Sequence, residues 1–278
     1  MNSPHFLSTE DRIGDGRVAL VVEYNGARFH GFQTQADGVR SVQQTLETAL
    51  SRVADEPISL VCAGRTDTGV HATHQVVHFD TRAIRSTRGW VMGANTFLKD
   101  SVVVHAVRQV PDTFHARYSA FARRYRYVIY NSPIPPALFR EQMTWNYRPL
   151  DAELMHEAAQ HLIGEHDFSS FRAAGCQSKT PFRNVHFVEV RRKGRLVLID
   201  IQANAFLHHM VRNIAGTLMA VGCGKRPVEW VAELLAQCDR RLGGVTAPPY
   251  GLYFVDASYD PAYGLPPASL GPAFLELL

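Results

Sequence analysis

Apolar and polar positions along the chain follow two rhythms, and the switches between them outline the elements. Residues 17–24 are a mostly apolar stretch rich in β-branched valine, read as a first strand, and Asn25-Gly26 after it marks a turn. From Ser41 the spacing becomes helical: Val42, Leu46, Ala49, Leu50 and Val53 form one stripe, and Ser41 with Gln44 three residues later makes a capping box. Residues 58–63 and 74–79 read as strands, Thr87–Leu98 as a helix with Trp90, Ala94, Phe97 and Leu98 on one side, and 101–110 as a strand. The first half therefore reads β-α-β-β-α-β.

The second half repeats the mixture. A crossover at 114–130 ends in a strand at 121–130 that is rich in Arg and Tyr, and prolines at 133, 135 and 136 break it. Asp151 caps a helix bearing Leu154, Met155, Ala158, Ala159, Leu162 and Ile163, closed by Gly164. A short strand is expected at 167–171, a polar loop at 173–184, and strands at 187–192 and 195–203 flank Lys193-Gly194 as a hairpin. Helices are expected at 206–221 and from Pro227, the latter with Val231, Leu234, Leu235 and Cys238 inward, before a last strand at 252–258. The hairpins and uneven alternation point to an antiparallel α+β fold rather than a doubly wound parallel sheet. The expected organisation is an arm at 1–16, an N-terminal α/β half at 17–115, a C-terminal α/β half at 116–260, and an irregular tail at 261–278.

Composition narrows the picture modestly. A chain of 278 residues fits one large or two ordinary domains. Its net charge of +3 is too weak to name a nucleic-acid ligand, so the placement of the arginines matters more. Cys62, Cys176, Cys223 and Cys238 form no C-x-x-C pair and read as reduced, mostly buried thiols. No apolar run reaches the roughly 18 residues of a membrane span and the N-terminus has no apolar signal-type core, so a cytoplasmic protein is expected. There is no G-x-G-x-x-G after the first strand and no G-x-x-x-x-G-K-[ST], which argues against a dinucleotide or nucleoside-triphosphate cofactor.

Three stretches could carry chemistry. The first is Gly64-Arg65-Thr66-Asp67-Thr68-Gly69-Val70-His71-Ala72, a polar loop bracketed by glycines between two strands. Arg65 favours an ionised Asp67, and an ionised carboxylate in a pocket suits a nucleophile. Spacing alone equally allows a turn whose Asp and Thr side chains only satisfy backbone N–H groups. The second stretch, 114–130, interleaves Arg117, Arg123, Arg124 and Arg126 with Phe114, Tyr118, Phe121, Tyr125, Tyr127 and Tyr130. Guanidinium groups bind phosphate and flat rings stack unpaired bases, although core tyrosines with solvated arginines would give the same letters. Strand alternation would send Tyr125, Tyr127 and Ile129 one way and Arg124, Arg126 and Tyr130 the other. The third is Phe206-Leu207-His208-His209-Met210-Val211-Arg212-Asn213-Ile214. On a helix the two histidines would point about 100° apart, a poor arrangement for one ion, so no metal site is expected. Arg212 on this apolar stretch either snorkels to solvent or meets a carboxylate, for which Asp67 is the candidate. Lys179 and Arg183 make a weaker basic cluster in the 173–184 loop.

The loop 64–72 resembles the active-site motif of the tRNA pseudouridine synthase A family, with Thr68 where that family usually has Ala. Further motifs match in order: Ala122-Arg123-Arg124-Tyr125-Arg126-Tyr127, His209-Met210-Val211-Arg212-Asn213-Ile214 and Tyr250-Gly251-Leu252-Tyr253-Phe254. The resemblance covers about residues 18–259. It implies an α+β pair of similar halves around a basic cleft and isomerisation of uridine at positions 38–40 of the tRNA anticodon stem-loop. It also implies Asp67 as nucleophile, Tyr125 stacked on the base, Arg212 paired with the Asp, Leu252 lining the uracil pocket and Arg65 helping to draw out the base. No cofactor or metal is implied; tRNA is the partner and a homodimer the assembly. Two other readings stay open from the residues: a non-catalytic RNA-binding protein or tRNA folding helper, and a metal-dependent nuclease.

Overall fold

The computed structural model describes residues 7–35 and 38–275. The arm and tail expected at 1–16 and 261–278 thus fall partly outside the described residues, at 1–6 and 276–278. The protein is mixed α+β, with mostly antiparallel strands, and divides into two compact units. One comprises the residues up to Ala120 with Ala257–Leu270; the other comprises Phe121–Asp256 and the residues from Gly271. Among the described residues no helix is long and apolar enough to cross a membrane.

The first unit is built on β1 (Arg12–Tyr24), α1 (Val42–Ala54), β2 (Val61–Cys62), β3 (His71–Ser86), α2 (Thr87–Leu98) and β4 (Val102–Gln109). β1 is central, antiparallel to β3 (Val18 opposite Phe79, Val21 opposite Val76) and to β4 (Val18 opposite Gln109). That place accounts for the uninterrupted run Val18–Val22, buried at every position. β1 starts at Arg12, inside the stretch read as an arm. Its first residues carry no apolar alternation; pairing of Arg12 with Ser86 and the bond from the Trp90 indole N–H to Ile13 O supply the order instead. The cap on α1 forms as expected, with Ser41 Oγ accepting from Gln44 N–H. Phe97, expected inward on α2, is exposed beneath the guanidinium of Arg52.

The second unit holds β5 (Ala122–Asn131), β6 (Thr144–Asn146), α3 (Ala152–Gln160), β7 (Gly164–Asp167), β8 (Phe182–Lys193), β9 (Leu196–Ala203), α4 (Met210–Gly222), α5 (Trp230–Gln237) and the start of β10 (Leu252–Ser258). β8 and β9 form the expected hairpin, β9 pairs antiparallel with β5 (Tyr127 opposite Ile199), and β7 closes the far edge against β8. The strand expected at 167–171 lies earlier. Asp167 Oδ1 accepts from Ser169 N–H at 2.8 Å, a local turn that coils 169–171 into a 3-10 helix. The helix expected from Pro227 begins at Trp230, after a tight turn joining Trp230 N–H to Pro227 O.

Asp200 is the electrostatic centre of this unit. It is buried, faces Arg126 across the β5–β9 register, and accepts from Arg124 Nε and a second Arg124 nitrogen at 2.7 Å each and from Arg126 Nε at 2.8 Å. The pairing raises Arg124 above the ordinary guanidinium range. Removing the carboxylate takes from two crowded cations the counter-charge that both contact. Asp200→Ala should therefore destabilise the protein by about 3–5 kcal/mol. Urea unfolding checks this, and a loss below 1 kcal/mol would show the arginines finding water instead.

Candidate active site

In the first unit, the loop between β2 and β3 is held from several sides. Ala63 N–H bonds to Val76 O, and the Gln75 side chain clasps Gly64, donating to its O at 2.6 Å and accepting from its N–H at 3.3 Å. Thr66 is buried, with its Oγ1 2.8 Å from Tyr24 Oη and its O accepting from Phe32 N–H at 2.9 Å. Burial raises the Tyr24 hydroxyl far above its ordinary value, so it stays a neutral hydrogen-bonding group. Val70 N–H closes a turn onto Asp67 O, and Gly69 takes φ +79°, a conformation that disfavours a side chain. Just beyond, His71 is buried and its Nδ1 accepts from Gly26 N–H at 3.1 Å. The outcome is a loop with a rigid underside, a half-buried Asp67 and an exposed Arg65. Beneath it, burial pushes the Cys62 thiol up to about 12, which leaves that sulfur inert.

In the second unit, Tyr125 is buried on β5, with its ring edge-on to Phe206 and Phe254 at centroid separations of 5.0 and 5.2 Å. Leu252 is buried at the start of β10, its N–H bonded to Pro249 O. Arg212 lies in the first turn of α4, half-buried, with Nε donating to Ala247 O at 2.8 Å while its own O accepts from Ala247 N–H at 3.1 Å. This two-way link fastens residues 243–248 to α4. The approach is close enough that a Cβ on Gly216 would lie 1.8 Å from Val245 O. Asn213, also buried, extends the fastening: its Oδ1 accepts from Arg240 and Thr246, and its Nδ2 donates to Phe171 O.

The structure revises several sequence expectations. α4 begins at Met210, not at 206, because His209 sits in the left-handed region at φ +60° and cannot continue a helix. His208 and His209 precede the helix with rings 4.0 Å apart, so the 100° separation expected of them does not apply. Tyr125, Tyr127 and Ile129 are buried together as alternation requires, but Arg124 and Arg126 are engaged by Asp200 rather than open to a ligand. Arg183 is buried on β8, bonded to Ser178 and the Thr180 and Phe182 carbonyls. Arg117 and Lys179 are exposed and Arg123 is half-buried, with one nitrogen donating to Asn204 O. Sequence reasoning missed the supports: Tyr24, Thr66, Gln75 and His71 under the loop, and Phe206 and Phe254 beside Tyr125. Gln75 had a visible signal, an amide inside an apolar strand.

The chain matches the family model described as tRNA pseudouridine synthase over residues 20–119 and 158–260. It is 58% identical over 259 residues to tRNA pseudouridine synthase A of Legionella pneumophila (strain Corby), covering 93% of this chain and 98% of that one. It is 56% identical over 263 residues to the protein of that name from Pseudomonas aeruginosa, covering 95% and 92%. It is likewise 56% identical over 259 residues to that from Shewanella amazonensis, covering 93% and 99%. These are RNA-modifying isomerases. The chain belongs to the tRNA pseudouridine synthase family, and tRNA is its substrate.

Proposed function

We propose that this enzyme isomerises uridine to pseudouridine at positions 38–40 of the tRNA anticodon stem-loop, acting in the cytoplasm as a homodimer, with Asp67 as nucleophile. The observation that carries the reading is the loop 64–72. Its letters resemble the family's active-site motif, and the loop that carries the Asp67 carboxylate stands on a buried scaffold of Thr66, Tyr24 and Gln75.

The reaction is an internal exchange of bonds. The N1–C1′ bond of uridine breaks, the base turns, C5 joins C1′, the C5 hydrogen leaves as a proton, and N1 takes up a proton in its place. No electrons are gained or lost. The target uridine must first leave its stack, at a cost of a few kcal/mol. Arg65, exposed beside Asp67, is suited to fill the vacated space and meet phosphate. Tyr125 and Leu252 offer an apolar floor for uracil, the tyrosine ring fixed by Phe206 and Phe254. Asp67 attacks either ribose C1′ or base C6, and Arg212 is its proposed ion-pair partner. Arg117, Arg123 and Lys179 are the proposed contacts to the RNA backbone; Arg124, Arg126 and Arg183 would contribute only to the local field.

The test is release of tritium from tRNA carrying [5-³H]uridine. The expected result is one label released per target site from a transcript with uridine at 38–40, and none once those uridines are replaced by cytidine. Binding without release would favour an RNA-binding helper. Chelator-sensitive cutting of the chain would favour a nuclease.

A further inference from the structure

A second chemically distinctive cluster lies in the second unit, in the loop between Phe171 and β8. The proposed reaction draws on it only for Lys179 as an RNA contact and Arg183 in the local field, and leaves Arg172 and Cys176 without a role. Arg183 is 8% exposed, and among the described residues its guanidinium has only neutral acceptors: Ser178 Oγ and the carbonyls of Thr180 and Phe182. Its Nε finds no acceptor among the described residues. Arg172 stands close by, half-buried, with one nitrogen donating to both Cys176 O and Ser178 O at 2.8 Å. Lys179 adds a third, exposed cation on the same loop. A buried guanidinium without a counter-charge is costly, so the anionisable group among these cations matters. That group is Cys176. It is half-buried, and its Sγ accepts from the backbone N–H of His208 at 3.4 Å. The loop is tied to the same segment a second time, through Ala173 N–H to His208 O at 3.0 Å.

We infer that Cys176 is an activated thiol, the anionisable partner of Arg172 and Arg183, and a modification site for low-molecular-weight disulfides. The electrostatics run the same way. Burial pushes the Cys176 thiol up, but the N–H groups of His208 and Ser178 and the Arg172 guanidinium outweigh it and hold the thiol below its ordinary value. In the reaction the thiolate attacks one sulfur of R–S–S–R, a Cys176–S–S–R bond forms, and R–S⁻ leaves; the disulfide is the oxidant. The other cysteines serve as internal references. Cys62 is buried, Cys238 is exposed with its thiol pushed up by burial and by Asp167, and Cys223 is half-buried.

The probe is 2,2′-dithiodipyridine, an uncharged disulfide whose leaving thiopyridone is coloured, added to the full-length protein at pH 6.0. The expected result is a fast phase of one equivalent per chain, at least about tenfold ahead of the remaining thiols. Peptide mapping by mass spectrometry should place the early adduct on Cys176. Cys176→Ser should abolish the fast phase. Arg172→Gln should slow it by about three- to tenfold, and Arg172→Lys should restore most of the rate, separating charge from loop anchoring. An early adduct mapped to Cys223 or Cys238, or a Cys176 rate no faster than theirs, overturns the inference. The mapping uses the unmutated protein, so it holds even if a variant fails to fold. Pseudouridine formation is not a readout here, so this result and that of the tritium assay fail independently.

Discussion

Asp67→Asn should abolish tritium release while leaving tRNA binding within about threefold of the parent. The substitution is nearly isosteric but removes the charge and nucleophilicity of the carboxylate. A nucleophile's loss is expected to reduce turnover by at least about 10⁴-fold, equivalent to roughly 5 kcal/mol of transition-state stabilisation at 1.36 kcal/mol per decade. Binding should survive because the loop's hold runs through other atoms. Thr66 bonds to Tyr24 and to Phe32 N–H, Gln75 clasps Gly64, and Val70 N–H meets the main-chain O of residue 67. The measurements are single-turnover tritium release and tRNA binding by filter retention at fixed salt. Equal loss of both would make Asp67 a structural residue of the loop. Retained turnover would remove it from the chemistry altogether.

The contrast between Asp67 and its supports shows what the letters can carry. A motif names the residues proposed to touch substrate, because their chemical type is the requirement. The supports need only a hydrogen bond at the right place, and many residue types supply one. Tyr24 and Thr66 lie 42 residues apart and meet only in the folded chain. Elements formed by local rules were legible to the residue or nearly so: Thr87–Leu98 as a helix, the Ser41 cap, the β8–β9 hairpin around Lys193-Gly194. Elements decided by tertiary partners were not. β1 runs through Arg12 and Gly16 because β3 lies alongside, and 206–209 fails to coil because His209 takes a left-handed turn on apolar letters that fit a helix.

The same limit applied to charge. Arg124 and Arg126 read naturally as phosphate ligands in an Arg/Tyr-rich strand, and nothing local discloses that Asp200, 74 residues beyond Arg126, engages both. A carboxylate on a neighbouring strand is invisible to a pattern along one strand. Arg183 was misplaced for a related reason: it lies among polar letters, yet β8 begins at Phe182 and draws it inside. Of the four cysteines, expected to be mostly buried, only Cys62 is, since thiol burial depends on packing that spacing does not encode.

Arg212→Ala should lower turnover by about 10²–10³-fold, with tRNA affinity changed far less. The observed bond to Ala247 and the proposed pairing with Asp67 both fall on this side chain, and the variants separate them. Its Nε bond to Ala247 O helps fasten residues 243–248 to α4, so truncation should also cost about 1–2 kcal/mol of stability through that carbonyl. Fastening persists in part through Ala247 N–H to Arg212 O, which is a main-chain bond, and through the close packing at Gly216. Arg212→Lys keeps a charge but has no group equivalent to Nε, so it should recover part of the turnover while its stability follows the Ala variant. If the proposed pairing with Asp67 is real, turnover in the two variants will follow charge and melting temperature will not. If turnover and melting temperature fall and recover together, Arg212 is only the clasp on the 243–248 segment. Near-normal kinetics in Arg212→Ala would leave the Asp67 carboxylate with another counter-charge to find.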